Sequence, residues 1–343
     1  MRVAMLAPIS WRTPPRHYGP WELVTSLLTE ALVAKGVDVT LFATADSETA
    51  GKLEAVVPTG YSEDPSLDAK VMEMLHVSHV FEQAKDFDLI HNQADFVPLV
   101  FSRLVETPII TTIHGFSSPR IVPVFKRYED RVEYVAISDA DRNPDLHYAA
   151  TIHHGIPIEA FPFDPEGSDD LLFFGRMHPD KGAGEAVRAA IATDHKLLMA
   201  GITQDEGYYN REVAPFVDGE RIVFNGPVGG AARTRALGHA KALLHLIGFE
   251  EPFGLSVIEA MACGTPVIAY NKGSMPELIE HGVTGFLVDT FDEAVEAIGR
   301  IGEIDRRACR RAVEERFTVE RMADKYLALY EAILAELPSK MGG

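Results

Sequence analysis

Cysteine is nearly absent. The chain has two, Cys263 and Cys309, in 343 residues. That is too few for a disulfide framework or a cysteine-based zinc site, and it fits a reducing cytoplasm. Long apolar runs are missing too. No segment approaches the roughly 18–20 consecutive apolar residues that span a bilayer. Positive charge is scarce: 32 Lys and Arg face 51 Asp and Glu, a net charge of −19. The deficit is shared. Residues 1–163 hold 13 basic against 22 acidic residues, and residues 164–343 hold 19 against 29. Neither half is a basic module, which argues against nucleic-acid binding by phosphate neutralisation and against docking on an anionic membrane. The segment Met1 to Pro8 has one charge and a short apolar run. It reads as a first strand and not as a signal peptide.

What remains is ordinary globular composition, 46% apolar and 24% charged. At roughly 150 residues per domain, the length predicts two domains. Short apolar runs at 3–7, 39–43, 89–91, 108–113 and 134–137 alternate with amphipathic stretches. Trp21, Val24, Leu28, Ala31 and Leu32 recur at helical spacing, and Gly36 follows as a stop. Strands separated by helices imply βαβ units and a parallel sheet. The pattern restarts after a Pro-rich stretch, Ile156 to Gly167, with strands expected at 171–174, 197–200, 222–224, 242–246, 266–269 and 286–288. The expected division is an N-terminal domain 1–163, a C-terminal domain 164–317 and a final helix 318–337. Met322, Tyr326, Leu329, Tyr330, Ile333 and Leu337 give that helix an apolar stripe, expected to pack back on the N-terminal domain. Doubly wound sheets bind ligands outside the carboxyl ends of their strands, so chemistry is sought there.

The most informative segment runs from Glu250 to Ala269. Gly254 permits close backbone approach. Leu255 to Cys263 reads as a short helix closed by Gly264. The start of that helix offers free N–H groups and a positive dipole end to an anion. Glu251 and Glu259, eight residues apart, flank it. They are suited to gripping hydroxyls on either side of a bound phosphate, or else they are surface glutamates on a capped helix.

These residues resemble the Glu-x7-Glu signature of retaining glycosyltransferases of family 4, which have the GT-B fold. Further segments carry the resemblance along nearly the whole chain: Phe174 to Gly182, Gly273 to Ile279, Gly282 to Val288, Thr112 to Gly115, Tyr134 to Ser138 and His154 to Ile156. The resemblance implies two doubly wound, Rossmann-like domains facing across a cleft. The N-terminal one would take the acceptor and the C-terminal one a nucleotide sugar. Arg176 and Lys181 would neutralise the donor diphosphate, where the bland alternative is surface ion pairs with Asp180 or Glu185. Glu259 would bond the ribose hydroxyls. Glu251 would contact the donor sugar, and Phe253, Gly254, Leu255 and Ser256 would add backbone contacts. His114 would contact the sugar or support the reaction centre, where the alternative is a satisfied structural histidine. The loop Ser10 to Glu22 keeps Gly19 of the two glycines the family has there and puts Pro20 in the second place. Gly19 and Tyr18 are its candidate acceptor or phosphate contacts.

No metal and no other cofactor is expected. The pairs Asp86/Asp88 and Asp139/Asp141 match Asp-x-Asp, but among 22 aspartates such matches arise by chance. A dehydrogenase reading fails because Pro-Ile-Ser-Trp-Arg follows the first strand where a Gly-rich turn is needed. A non-catalytic sugar-binding module would not need Glu251, Glu259 and His114 together. A retaining phosphorylase or a disaccharide synthase would use a similar cleft. The expected activity is metal-independent transfer of a hexose from UDP-glucose or GDP-mannose to a small soluble or oligosaccharide acceptor, with retention. Inversion would require a general base beside the acceptor, and the N-terminal half offers only His114.

Overall fold

The computed structural model describes residues 1–116 and 118–340, with side chains as far as residue 336. The chain divides into two compact units. One is Met1–Gly155 together with Val319–Gly343, and the other is Ile156–Thr318.

The first unit runs β1 (Arg2–Leu6), α1 (Pro20–Ala34), β2 (Asp38–Thr44), β3 (Lys52–Val57), α2 (Ala69–Glu82), β4 (Leu89–Asn92), β5 (Ile109–Ile113), α3 (Val122–Tyr128), β6 (Val132–Ala136) and β7 (Ala150–Thr151). The sheet is parallel, in the order β3-β2-β1-β4-β5-β6-β7. Helices on both faces explain why β1 reads as an unbroken apolar run, with Val3 to Leu6 fully buried. The order reverses between β1 and β4, where Met5 lies beside Leu41 on one side and His91 on the other. α1 begins on Pro20, pre-set for a first helical turn. It ends in a Schellman motif: Val37 N–H reaches Leu32 O at 3.0 Å, and Gly36 N–H reaches Val33 O at 2.9 Å. β3 and β7 are absent from the sequence expectations. β3 pairs only with β2 and alternates exposed with half-buried residues, and β7 is two residues long.

The second unit runs β8 (Leu171–Phe174), α4 (Ala183–Ala192), β9 (Leu197–Ala200), α5 (Glu206–Glu212), β10 (Ile222–Phe224), α6 (Gly230–His239), β11 (Ala242–His245), α7 (Leu255–Ala262), β12 (Val267–Tyr270), α8 (Met275–Leu278), β13 (Gly285–Val288), α9 (Phe291–Arg300) and α10 (Arg306–Arg316). Its parallel sheet has the order β10-β9-β8-β11-β12-β13, reversing between β8 and β11. Both orders follow the doubly wound pattern with one switch point each.

The chain then returns to the first unit as α11 (Val319–Lys340). Met322, Tyr326 and Tyr330 are buried there, α11 packs along α1, and Lys35 pairs with Asp324 at 2.6 Å. Leu329 and Ile333 are half-buried, and the Leu337 side chain lies outside the described residues.

The expected boundary at 163/164 is corrected to 155/156. Ile156 N–H bonds the carbonyl of Phe317 at 2.9 Å. Phe161 is buried, and Asp164 N–H bonds the carbonyl of Cys263 at 2.9 Å. Residues 156–163 are thus fastened to the second unit and are not a free linker. Among the described residues no helix is long and apolar enough to cross a membrane.

Candidate active site

In the second unit the site forms at the switch point. β8 ends at Phe174, and Arg176 follows by two residues. Its guanidinium bonds Gln204, on the loop after β9, and has no acidic partner among the described residues. Lys181 stands just before α4 and places Nζ 2.5 Å from Glu251 Oε2, on the loop after β11. The same ammonium lies 4.8 Å from the Phe249 ring centre. Both side chains are about five-sixths buried. The surface-pair alternative is overturned for these two cations: Asp180 pairs with His178, and Glu185 with Arg188 and Tyr270.

Gly182 makes the Lys181 contact possible. Its φ is +71°, and a Cβ there would sit 1.9 Å from the carbonyl oxygen of Leu246, the residue after β11. Only glycine brings the start of α4 this close to the switch point. The loop after β12 holds the other side: Ser274 N–H bonds Glu251 O at 3.0 Å, and Ser274 Oγ bonds Phe253 O at 2.5 Å. Gly254 caps α7, whose first turn is Leu255 and Ser256. Glu259 lies inside α7, fully buried, with both oxygens on Arg233 of α6. Burial raises its pKa, and Arg233 opposes that rise. Arg233 also lies over the Phe174 ring. His245, the last residue of β11, is buried with Nε2 unpartnered among the described residues, and burial lowers its pKa to about 4.

In the first unit His114 directly follows β5. Its Nε2 lies 2.6 Å from Gln93 Oε1, so Nε2 carries the proton and donates it. Nδ1 is then a lone-pair acceptor, buried and without a partner among the described residues. Burial, helped by His91, lowers the His114 pKa to about 3, so the ring is neutral. Trp21 stacks on it at 5.3 Å and His154 lies 5.2 Å away. Gln93 Nε2 contacts His91 Nε2 at 3.0 Å; His91 Nδ1 pairs with the Tyr330 hydroxyl at 2.6 Å. Thr112 bridges His91 and Tyr326, at 2.8 Å each. A buried polar chain thus runs from His114 to α11.

Beside it, after β1 and β4, opens a cavity of about 460 Å3. Tyr18 and Gly19 both line it, Tyr18 exposed and Gly19 buried. Gly19 has φ +151°, and a Cβ there would come within 2.9 Å of Glu22 Oε2 and of Pro15. Glu22, in the first turn of α1, also lines the cavity. It is buried, its Oε1 accepts Trp11 N–H at 3.2 Å, and burial raises its pKa to about 7. The expectation that His114 is the only base candidate in this half is therefore corrected: Glu22 is a second. Asp95, on the loop after β4, has its pKa raised to about 6 by burial. One member of each Asp-x-Asp pair has a partner, Asp88 with Arg2 at 2.9 Å and Asp139 with Thr151 at 2.5 Å.

Gln93, Glu22, Asp95, Gln204, Arg233 and His245 were not singled out in the sequence. Glu22 sits inside the quoted loop and His245 closes an expected strand, so position could have flagged both. The other four have no local pattern.

The family model described as "Glycosyl transferases group 1" matches residues 158–316, and the one described as "Glycosyltransferase Family 4" matches residues 22–143. A phosphatidyl-myo-inositol mannosyltransferase of Mycobacterium leprae is 26% identical over 328 residues, covering 87% of this chain and 86% of that one. Among solved structures, the sucrose-phosphate synthase of Thermosynechococcus elongatus superposes with a TM-score of 0.79 at 20% identity, covering 98% of this chain and 99% of the other. Anabaena HepE in complex with UDP-glucose superposes with a TM-score of 0.70 at 20% identity, covering 99% and 100%.

Proposed function

The chain belongs to glycosyltransferase family 4, and from that premise we propose that it moves a hexose from a nucleotide sugar, of UDP-glucose or GDP-mannose type, to a hydroxyl acceptor held in the first unit's cavity, without a metal and with retention. That it is a glycosyltransferase of GT-B fold follows from the family and the superpositions.

One observation carries the donor assignment. In a chain of net charge −19, Arg176 sits at a strand end with neutral Gln204 as its only partner among the described residues, and Lys181 stands at the adjacent switch point. A diphosphate supplies the charge both cations face. Lys181 then exchanges Glu251 for phosphate, and Glu251 turns to sugar hydroxyls. As the diphosphate leaves it gains charge, which fixed cations and the start of α7 stabilise. Solved HepE with UDP-glucose favours the uridine donor. Replacing Arg176 or Lys181 by Ala is expected to lower kcat/KM by about 1.5–3 kcal/mol, roughly 10- to 150-fold, with the fold intact. Wild-type kcat/KM in both variants would remove the assignment. Activity should survive EDTA.

Retention is favoured because neutral His114, with a pKa near 3, is a weak base at pH 7. Its Nδ1 is better suited to accept a sugar hydroxyl. Glu22 favours a second reading. A carboxyl with pKa near 7 in the acceptor cavity is poised to take a proton, and a general base there would serve inversion. The anomeric coupling constant of the product decides. An α-linked product from an α-linked donor supports retention, and a β-linked one transfers the proton role to Glu22.

A further inference from the structure

We propose, resting on the reading of the first unit's cavity as the acceptor site, that the acceptor is a non-anionic polyol rich in hydrogen-bond donors, neutral or amino-bearing, and that phosphorylated or carboxylated acceptors are rejected. The cavity's chemistry points one way. Glu22, Glu73 and Asp95 line it, and among the described residues no Lys or Arg does. The arginines of the neighbouring loop already face carboxylates: Arg12 pairs with Glu48 at 3.0 Å, its Nε buried and without a hydrogen-bond partner among the described residues, and Arg16 pairs with Asp46 at 3.0 Å and Glu63 at 2.8 Å. The Tyr61 hydroxyl donates to Glu73 at 3.0 Å and is itself used as an acceptor by Ser10 at 2.5 Å, so it offers no spare proton.

His76 adds an independent sign. It lines the cavity at 1% exposure, and its Nε2 donates to the Ala7 carbonyl at 2.9 Å. Its Nδ1 is therefore an acceptor, buried and without a partner among the described residues. An orphaned buried acceptor calls for a ligand proton. Glu73, Asp95 and His76 Nδ1 accept, as Glu22 does when ionised, so a ligand rich in hydroxyl protons matches them, while the Trp11 and Trp21 indole N–H groups and the Tyr18 hydroxyl are the neutral donors the cavity offers in return. Trp11, Trp21 and Phe96 supply apolar faces for the C–H side of a ring polyol. A phosphate would instead meet three carboxyls and no cation. In this the cavity is unsuited to the phosphate-bearing compounds in the names of the mycobacterial and cyanobacterial relatives.

The chain's two tryptophans, Trp11 and Trp21, both line this cavity. Tryptophan emission of the full chain therefore reports its occupancy. Titrations with D-glucose, D-glucosamine, D-glucose 6-phosphate and inorganic phosphate, each with and without UDP, compare matched ligands. The expected result is a saturable change with glucose or glucosamine, and affinity for glucose 6-phosphate at least about tenfold weaker. Asp95→Asn and Glu22→Gln together should close that gap by about tenfold or more. Asn keeps the left-handed φ of 59° at position 95, so charge alone is removed there. Glucose 6-phosphate or phosphate binding as tightly as glucose would overturn the proposal. So would an unchanged ratio in a folded double variant, or no response to either unphosphorylated sugar up to about 100 mM, well above millimolar affinities. Transfer is not needed for this reading. UDP and UDP-glucose binding, followed by calorimetry in the same samples, separately tests the donor assignment.

Discussion

Gln93 decides which nitrogen of His114 keeps its lone pair. Its carbonyl oxygen takes the Nε2 proton, and its amide nitrogen turns to His91, so one side chain fixes two imidazole tautomers. Gln93→Leu should release the His114 tautomer and lower kcat/KM about tenfold or more. Gln93→Glu keeps the acceptor and should recover part of that loss, while its charge raises the His114 pKa from about 3, visible by NMR titration. A Leu variant with wild-type kinetics would reduce Gln93 to packing. Charge at neighbouring positions gives a second, signed prediction. His76 and His114 have lowered pKa values, about 4 and 3. Their stabilising effect is complete above the unfolded value near 6.5 and is lost as pH falls toward the folded values. Glu22 is raised to about 7, so its effect is complete below about 4.5 and is lost as pH rises through 7. Glu22→Gln should therefore stabilise the protein at pH 8, by about 1–3 kcal/mol, and change little at pH 4. Thermal unfolding at the two pH values checks the sign. Of these residues, His114, Lys181 and Glu251 were legible because each follows an apolar strand within a recognisable motif. Gln93 and Arg233 were not. Their roles are set by partners 21 and 26 residues away, and a single sequence does not display such partners.

At the scale of elements, the buried strands were legible and the marginal ones were not. β8 and the first three residues of β11 are continuous apolar runs because helices cover both faces of their sheet. β3, Lys-Leu-Glu-Ala-Val-Val, keeps one face wet and has one neighbour, so its pattern is too mixed to stand out. The contact between α4 and β11 was equally hidden. Gly182 reads as an ordinary loop glycine until the Leu246 carbonyl is placed against it. Gly182→Ala should displace the start of α4, cost about 2 kcal/mol or more, and weaken UDP binding along with stability. Calorimetry with UDP on the folded variant separates the two effects; unaltered affinity would show that α4 does not position Lys181. On α11, Tyr330→Phe leaves His91 Nδ1 without its hydroxyl partner and should cost about 1–3 kcal/mol, read from denaturant midpoints.

At the scale of the whole molecule, the two units differ in how the chain builds them. Residues 156–318 form one unbroken stretch with its own sheet, whereas the first unit is assembled from both ends of the chain. Expressed alone, 156–318 should fold cooperatively and bind UDP. Residues 1–155 alone should not reach a native state, because Tyr326 and Tyr330 complete their buried polar chain. Circular dichroism and thermal melts of the two fragments test this. The same discontinuity sets a timetable on the ribosome. Once residue 155 has been made, 163 further residues precede α11, a wait of about 8–30 s at usual elongation rates. Throughout it, the nascent first unit exposes the surface that α11 will cover and leaves His91 and Thr112 without their tyrosines. A truncated product is therefore left with a sticky, unfinished half that proteases can recognise, and a chain that escapes them has by that fact been translated at least as far as α11.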